Sequence, residues 1–163
     1  MEKHIAPNAH EVGSIKIKQE IEIAASADRV FTGLTHDISF WWGAPFLIGA
    51  PKKLVIEEKL GGLFYEDWGN GDGAIWGTVT RWKKNHSFEF TGRCGMSGAV
   101  HGIICFSLDA KGPSSTILKL EHDAIGQLSE KTLGGYTYGW NDLLEKRLKS
   151  YVENGVCLGI MQK

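Results

Sequence analysis

The sequence predicts an α+β domain: a curled antiparallel sheet of seven strands wrapped around one long C-terminal helix, with two short helices after the first strand. Three observations predict it. From residue 52 to residue 122, short runs alternate apolar and polar residues between glycine turns, the pattern of consecutive antiparallel strands. From 136 to 151 the apolar residues recur instead at spacings of three and four, a single helical stripe. A sheet built of consecutive hairpins has one apolar face, and one long amphipathic helix is enough to cover it.

The elements follow in order. In SIKIKQEIEI, Ile15, Ile17, Ile21 and Ile23 share one parity and mark a half-buried strand. Ser26 is placed to cap a helix in which Val30, Phe31 and Leu34 fall at helical spacing. A second short helix is expected near Asp37–Trp42, inside the aromatic stretch HDISFWWGAPF; Pro45 and Pro51 limit its continuation. KKLVIEE, LFYEDW, AIWGTVTRW, SFEFTGR, AVHGIICFSL and STILKLEH are the six further strands. GNGDG makes the turn between two of them, and DAKGPS the last hairpin.

Gly134-Gly135 disfavour helix, so the last helix is expected from near Tyr136 to Glu153. Its stripe is Tyr136, Trp140, Leu143, Leu144, Arg147, Leu148 and Tyr151, and Asn154-Gly155 stops it. Lys146, Arg147 and Lys149 suit its negative end. The chain thus divides into an N-terminal tail (1–13), one domain (14–155) and an apolar C-terminal tail (156–163). That last tail either folds back on the body or pairs with a second subunit as a homodimer.

Composition excludes several classes. Lys plus Arg number 18 and Asp plus Glu 19, a balance that favours neither nucleic acid nor an anionic membrane. No apolar run approaches the ~20 residues of a spanning helix. The polar start lacks the apolar stretch of a signal peptide, so a cytoplasmic location is expected. Cys94, Cys105 and Cys157 form no C-x-x-C pair, and the histidines at 4, 10, 36, 86, 101 and 122 have no H-x-x-x-H spacing. No metal site and no cofactor is expected. Phosphate-loop, nucleophile-elbow and dinucleotide fingerprints are all missing, and GNGDG leads into a strand rather than a helix.

Several stretches together resemble the START-like, or SRPBCC, superfamily with its helix-grip fold. The nearest branch is similar to the activator of the 90-kDa heat-shock protein's ATPase. ASADRVFTGLTHDISFWW resembles that branch's first helix ending in Leu-Thr before a Trp, and EEKLGGLF its Gly-Gly-x-Phe. WGTVTRW resembles its Gly-x-Val strand, STILKLEHDAIG its Thr-x-Leu-x-Leu-x-His strand, and GWNDLLEKRLKSYVENG the Gly-Trp opening of its last helix. The resemblance spans about residues 14–155. Ala27 stands where the branch usually has Pro, and Gly134-Gly135 alter the approach to the last helix. The resemblance implies a fold and a pocket but no reaction, because the superfamily holds carriers, sensors, polyketide cyclase-like enzymes and co-chaperone domains.

Strand parity, the helix stripe and this resemblance give the expected cavity lining: Trp41, Trp42, Phe64, Glu66, Trp68, Phe88, Phe90, Phe106, Leu120, His122, Tyr136 and Trp140. Apolar walls with a few polar groups suit a small-molecule site. Adjacent helix residues point about 100° apart, so one of Trp41 and Trp42 is expected to plug the core and the other to line the wall. Glu66 and His122 are the polar members. A buried carboxylate is costly unless Arg81 or His122 reaches it, the strand turns it out to water, or it stays protonated. No nucleophile paired with a base is visible. The leading expectation is therefore binding of a small hydrophobic or aromatic molecule by a carrier, sensor or sequestering protein. A cyclase, dehydratase or hydrolase using the same cavity comes next. A co-chaperone-like domain acting through its surface comes third, since one lone domain offers no second one to grip a chaperone.

Overall fold

The computed structural model describes residues 11–163; most of the N-terminal tail expected over 1–13, with His4 and His10, lies outside them. The chain runs β1 (Gly13–Ile23), α1 (Ala27–Leu34), α2 (Ile38–Trp41), β2 (Lys53–Ile56), β3 (Leu63–Gly69), β4 (Asp72–Lys83), β5 (Ser87–Gly92), β6 (Val100–Gly112) and β7 (Ser115–Gly126). It ends in α3 (Glu130–Asn141), which continues through a π-helical segment (Asp142–Leu148) into α4 (Lys149–Asn154). The seven strands form one antiparallel sheet in the order β1-β7-β6-β5-β4-β3-β2. This is the helix-grip arrangement. Bulges after Phe64 and Asp67 in β3 and after Val79 in β4 add local twist where the sheet curls.

The alternating residues pack against the helix as their parity requires. Phe88, Phe106 and Leu120 face one another across β5, β6 and β7 and are fully buried. Phe31 of α1 meets Phe88 and Trp82 edge-on. From the helix, Trp140, Leu143, Leu144, Leu148 and Tyr151 enter the same core.

The last helix begins at Glu130, six residues before the expected start near Tyr136. Ser129 caps it: its Oγ accepts from Thr132 N–H, while the Thr132 hydroxyl oxygen accepts from Ser129 N–H. That reciprocal cap and the packing of the following turns outweigh the propensity cost of Gly134-Gly135. Gly155, at φ 71°, ends the helix in the left-handed cap that glycine favours.

The C-terminal tail folds back on α2. Gly159 N–H donates to Phe40 O at 2.9 Å, Ile160 N–H to Trp42 O at 3.2 Å, and Met161 N–H to Ser39 O at 2.9 Å. A side chain at position 159 would lie 2.4 Å from Ser39 O, so only glycine permits this approach. Among the described helices, none is long and apolar enough to cross a membrane.

Candidate functional site

A cavity of about 540 Å³ opens at one end of the sheet, where the core thins. Four segments and one strand residue frame it, the connection from β7 to α3 with Gln127, Leu128 and Ser129 among them. The α2–β2 loop contributes Trp42, Phe46 and Leu47, and β4 contributes Trp76. The β5–β6 loop contributes Cys94, Gly95 and Met96; α3 contributes Gly135, Tyr136, Gly139 and Trp140.

Each wall is held in place locally. Trp42 donates its indole N–H to Phe46 O at 2.6 Å, and its ring meets Phe64, Trp76 and Trp140 edge-to-face. The edge of one ring thus meets the negative face of another, the preferred aromatic geometry. The β5–β6 loop turns through two left-handed residues, Cys94 (φ 49°) and Gly95 (φ 78°). Gly95 lies against the Trp76 ring, 2.7 Å from where its Cβ would be, so position 95 tolerates no side chain. The Tyr136 hydroxyl donates to Cys94 O at 2.8 Å and ties this loop to the helix.

Of the twelve residues expected to line a cavity, Trp42, Tyr136 and Trp140 stand in its walls. Trp41 is fully buried beside it, donating its indole N–H to Gly33 O at 2.7 Å. Phe64, Phe88, Phe90, Phe106 and Leu120 are buried in the core and stand outside the cavity lining. Trp68 is 37% exposed at the end of β3.

Glu66 is fully buried and lies away from the cavity. Neither Arg81 nor His122 reaches it. Its carboxylate accepts from the backbone N–H groups of Ile48 and Gly49 and from the Trp68 indole. It therefore pins the loop whose other end forms the cavity wall.

His122 is also fully buried, one layer behind the wall: its ring packs edge-on against Tyr136 and Trp140. Trp140 donates its indole N–H to His122 Nδ1 at 2.9 Å. Burial lowers the imidazole pKa to about 4, against a smaller opposing pull from Asp123, so the ring is neutral at pH 7. Burial likewise pushes the Tyr136 phenol and the Cys94 thiol up. These three groups are thus uncharged at neutral pH, and no thiolate is available as a nucleophile. Lys131, at the exposed rim, is the cationic side chain of the lining. Among the described residues no group of three or more His, Cys, Asp or Glu is placed to hold a metal ion.

Sequence reasoning did not single out Trp76, Phe46, Leu47, Met96 or the glycines at 95, 135 and 139. The RCGMSG stretch was a weak signal: a methionine among glycines between two strands fits a loop that folds inward. Trp76 lies close to the β3–β4 bulge, where simple alternation no longer assigns faces.

No family profile matches the chain, and no curated protein matches it. Solved structures do. A conserved protein of unknown function from Enterococcus faecalis has a TM-score of 0.65 at 20% identity, over 92% of this chain and 78% of that one. The Aha1 dimer from Colwellia psychrerythraea has a TM-score of 0.62 at 21% identity, over 86% and 98%. CalU16 from Micromonospora echinospora has 0.62 at 19%, over 88% and 83%. At these identities the likeness is one of fold.

Proposed function

We propose that the protein binds a small apolar or aromatic molecule in the cavity between the α2–β2 loop, the β5–β6 loop and α3, as a member of the START-like superfamily. One observation carries this reading: a cavity of about 540 Å³ walled by Trp42, Phe46, Leu47, Trp76, Met96 and Trp140. Its volume and apolar walls suit a drug-sized ligand. Binding without conversion is favoured over catalysis because His122, Tyr136 and Cys94 are neutral at pH 7 and the buried carboxylate of Glu66 is engaged elsewhere. A general acid or base needs a pKa near the working pH and reach to the substrate.

The test uses Gly135, which lines the cavity on an exposed helix turn and has open space where a Cβ would project. Gly135→Leu should fill the cavity mouth while raising helix stability by up to about 1 kcal/mol. The protein is purified from its own cells and its bound small molecules are identified by native mass spectrometry. The wild type should carry an aromatic or lipid-like molecule that Gly135→Leu lacks. A molecule retained equally by both proteins defeats the assignment to this cavity.

A further inference from the structure

The cavity is unequal along its length. Lys131, Gly135, Gly139 and Leu143 line it and recur every four residues, so one face of α3 and of the turn after it follows the cavity from end to end. At Gly139 the surroundings are aromatic: the Phe46 ring lies 3.2 Å from where a Cβ would be, and Trp42 meets Trp140 edge-on. At the start of α3 they are polar. There the β5–β6 loop meets the connection from β7: Gln127 N–H donates to Ala99 O at 3.1 Å, and Ala99 N–H donates to Gln127 Oε1 at 3.0 Å. Ser97, Gln127, Ser129, Lys131 and Thr132 line this end.

Lys131 is the charged residue of the lining. Its side chain is exposed and makes no ion pair among the described residues. Glu130, the acid beside it in the chain, stands outside the lining. The helix gains nothing from this lysine: it is the second residue of α3, where the positive end of the dipole repels a cation. A helical side chain leans towards the N-terminus, so that of Lys131 leans away from the bare turn at Gly134-Gly135 and towards the polar end. Apolar walls alone favour the neutral member of two molecules of like shape, because a charge is costly to take out of water. A cation at the rim changes that for an acid whose charge stays at the rim while its body enters. One lysine, a compact point charge, matches a single negative charge.

We propose that the ligand of this cavity is an apolar monoacid. Its ring or chain lies against Phe46, Trp42 and Trp140, and its carboxylate meets Lys131, which stands about 12 Å from Gly139 by the rise of eight helical residues. This rests on the cavity-binding reading and narrows it to a class.

A pair of matched probes tests it. 4-(2-Naphthyl)butanoate and 4-(2-naphthyl)butanamide share one outline and differ by a carboxylate against a neutral carboxamide. Calorimetric titration of the full chain at low salt gives both affinities, and the quantity read is their ratio, carboxylate to amide. Lys131→Met keeps an unbranched stem and removes the charge; Lys131→Glu reverses it. Both substitutes are good helix formers at an exposed position, so the fold is kept. The ratio should fall about two- to fivefold in Lys131→Met, the range for an exposed ion pair, and further in Lys131→Glu. In the wild type it should shrink as NaCl is added. Gly135→Leu should weaken both probes, since it fills the space their bodies enter. A ratio that neither lysine substitution moves overturns the acid proposal and leaves the cavity reading standing. Failure of both probes to bind, or binding that Gly135→Leu leaves intact, overturns both.

Discussion

Replacing His122 by Asn should remove most of the acid sensitivity of this fold. Asn keeps an oxygen near the Nδ1 position to accept from Trp140, and it does not titrate. In the folded chain the His122 pKa is lowered to about 4 from 6.5, because burial penalises the imidazolium. The sign follows from linkage. Between these two values the unfolded chain binds the proton and the folded chain does not, so stability falls as pH drops below 6.5. Going from pH 7.5 to pH 4.5 this single group should cost about 2.5 kcal/mol, and the loss levels off only below pH 4, at roughly 3.4. Paired carboxylates lose stability over a lower range and contribute to both proteins, so the difference between wild type and His122→Asn is the quantity read. Urea unfolding at half-unit steps from pH 7.5 to 4.5 measures it. The wild-type curve should drop by about 2.5 kcal/mol more than the variant curve, whatever constant offset the substitution adds. Parallel curves would mean that His122 takes up its proton in the folded chain as readily as in the unfolded one, and would refute the reasoning from burial.

Glu66→Ala should cost about 3 kcal/mol in urea unfolding, because it removes the shared acceptor of two backbone N–H groups and an indole; amide exchange at Ile48 and Gly49 should quicken, and unchanged exchange there would refute the clamp. Trp140→Ala should cost about 3–5 kcal/mol, and a loss under about 1 would contradict its place in the core. Gly159→Ala should undock the C-terminal tail, since the new Cβ would fall 2.4 Å from Ser39 O; the amides of Ile160 and Met161, protected in the wild type, should then exchange freely.

The order of elements was legible because a period of two and a period of 3.6 are hard to confuse over long runs, and this chain uses one and then the other. Phe64, Phe88, Phe90, Phe106 and Leu120 show where that legibility stops. Parity places them on the concave face, but it does not say which part of that face the helix covers. They are buried within the core, and the cavity opens elsewhere, against α3. Glu66 marks a second limit. Its partners come from a loop 17 and 18 residues away, with no periodic pattern, so strand reasoning offered only Arg81, His122, water or a proton. The start of the last helix marks a third: two glycines argued against helix, and a cap five residues upstream of the first of them decided otherwise.

The residues that hold the cavity in shape are mostly not the ones that line it. The α2–β2 loop, which carries Trp42, Phe46 and Leu47, is fixed from three sides. Glu66 binds its far end at Ile48 and Gly49. The C-terminal tail pairs with its near end through Ile160 and Trp42. Arg147 reaches across from the helix, donating to Ala44 O at 3.0 Å and to Leu158 O at 3.3 Å, while its guanidinium lies over the Phe46 ring. Asp142 accepts from its Nε at 2.8 Å and holds the fork in that pose. A loop clamped this way is ordered before a ligand arrives, so binding loses less conformational entropy than closing a free loop would. Substitutions at Glu66, Arg147 or Gly159 should therefore weaken binding without touching the ligand, through a wall that must be ordered at each encounter. Substitutions at Trp42 or Trp76 should weaken it by contact. The two kinds separate in the free protein: loss of a clamp speeds amide exchange across residues 42–49 before any ligand is added, whereas loss of a contact leaves that exchange unchanged.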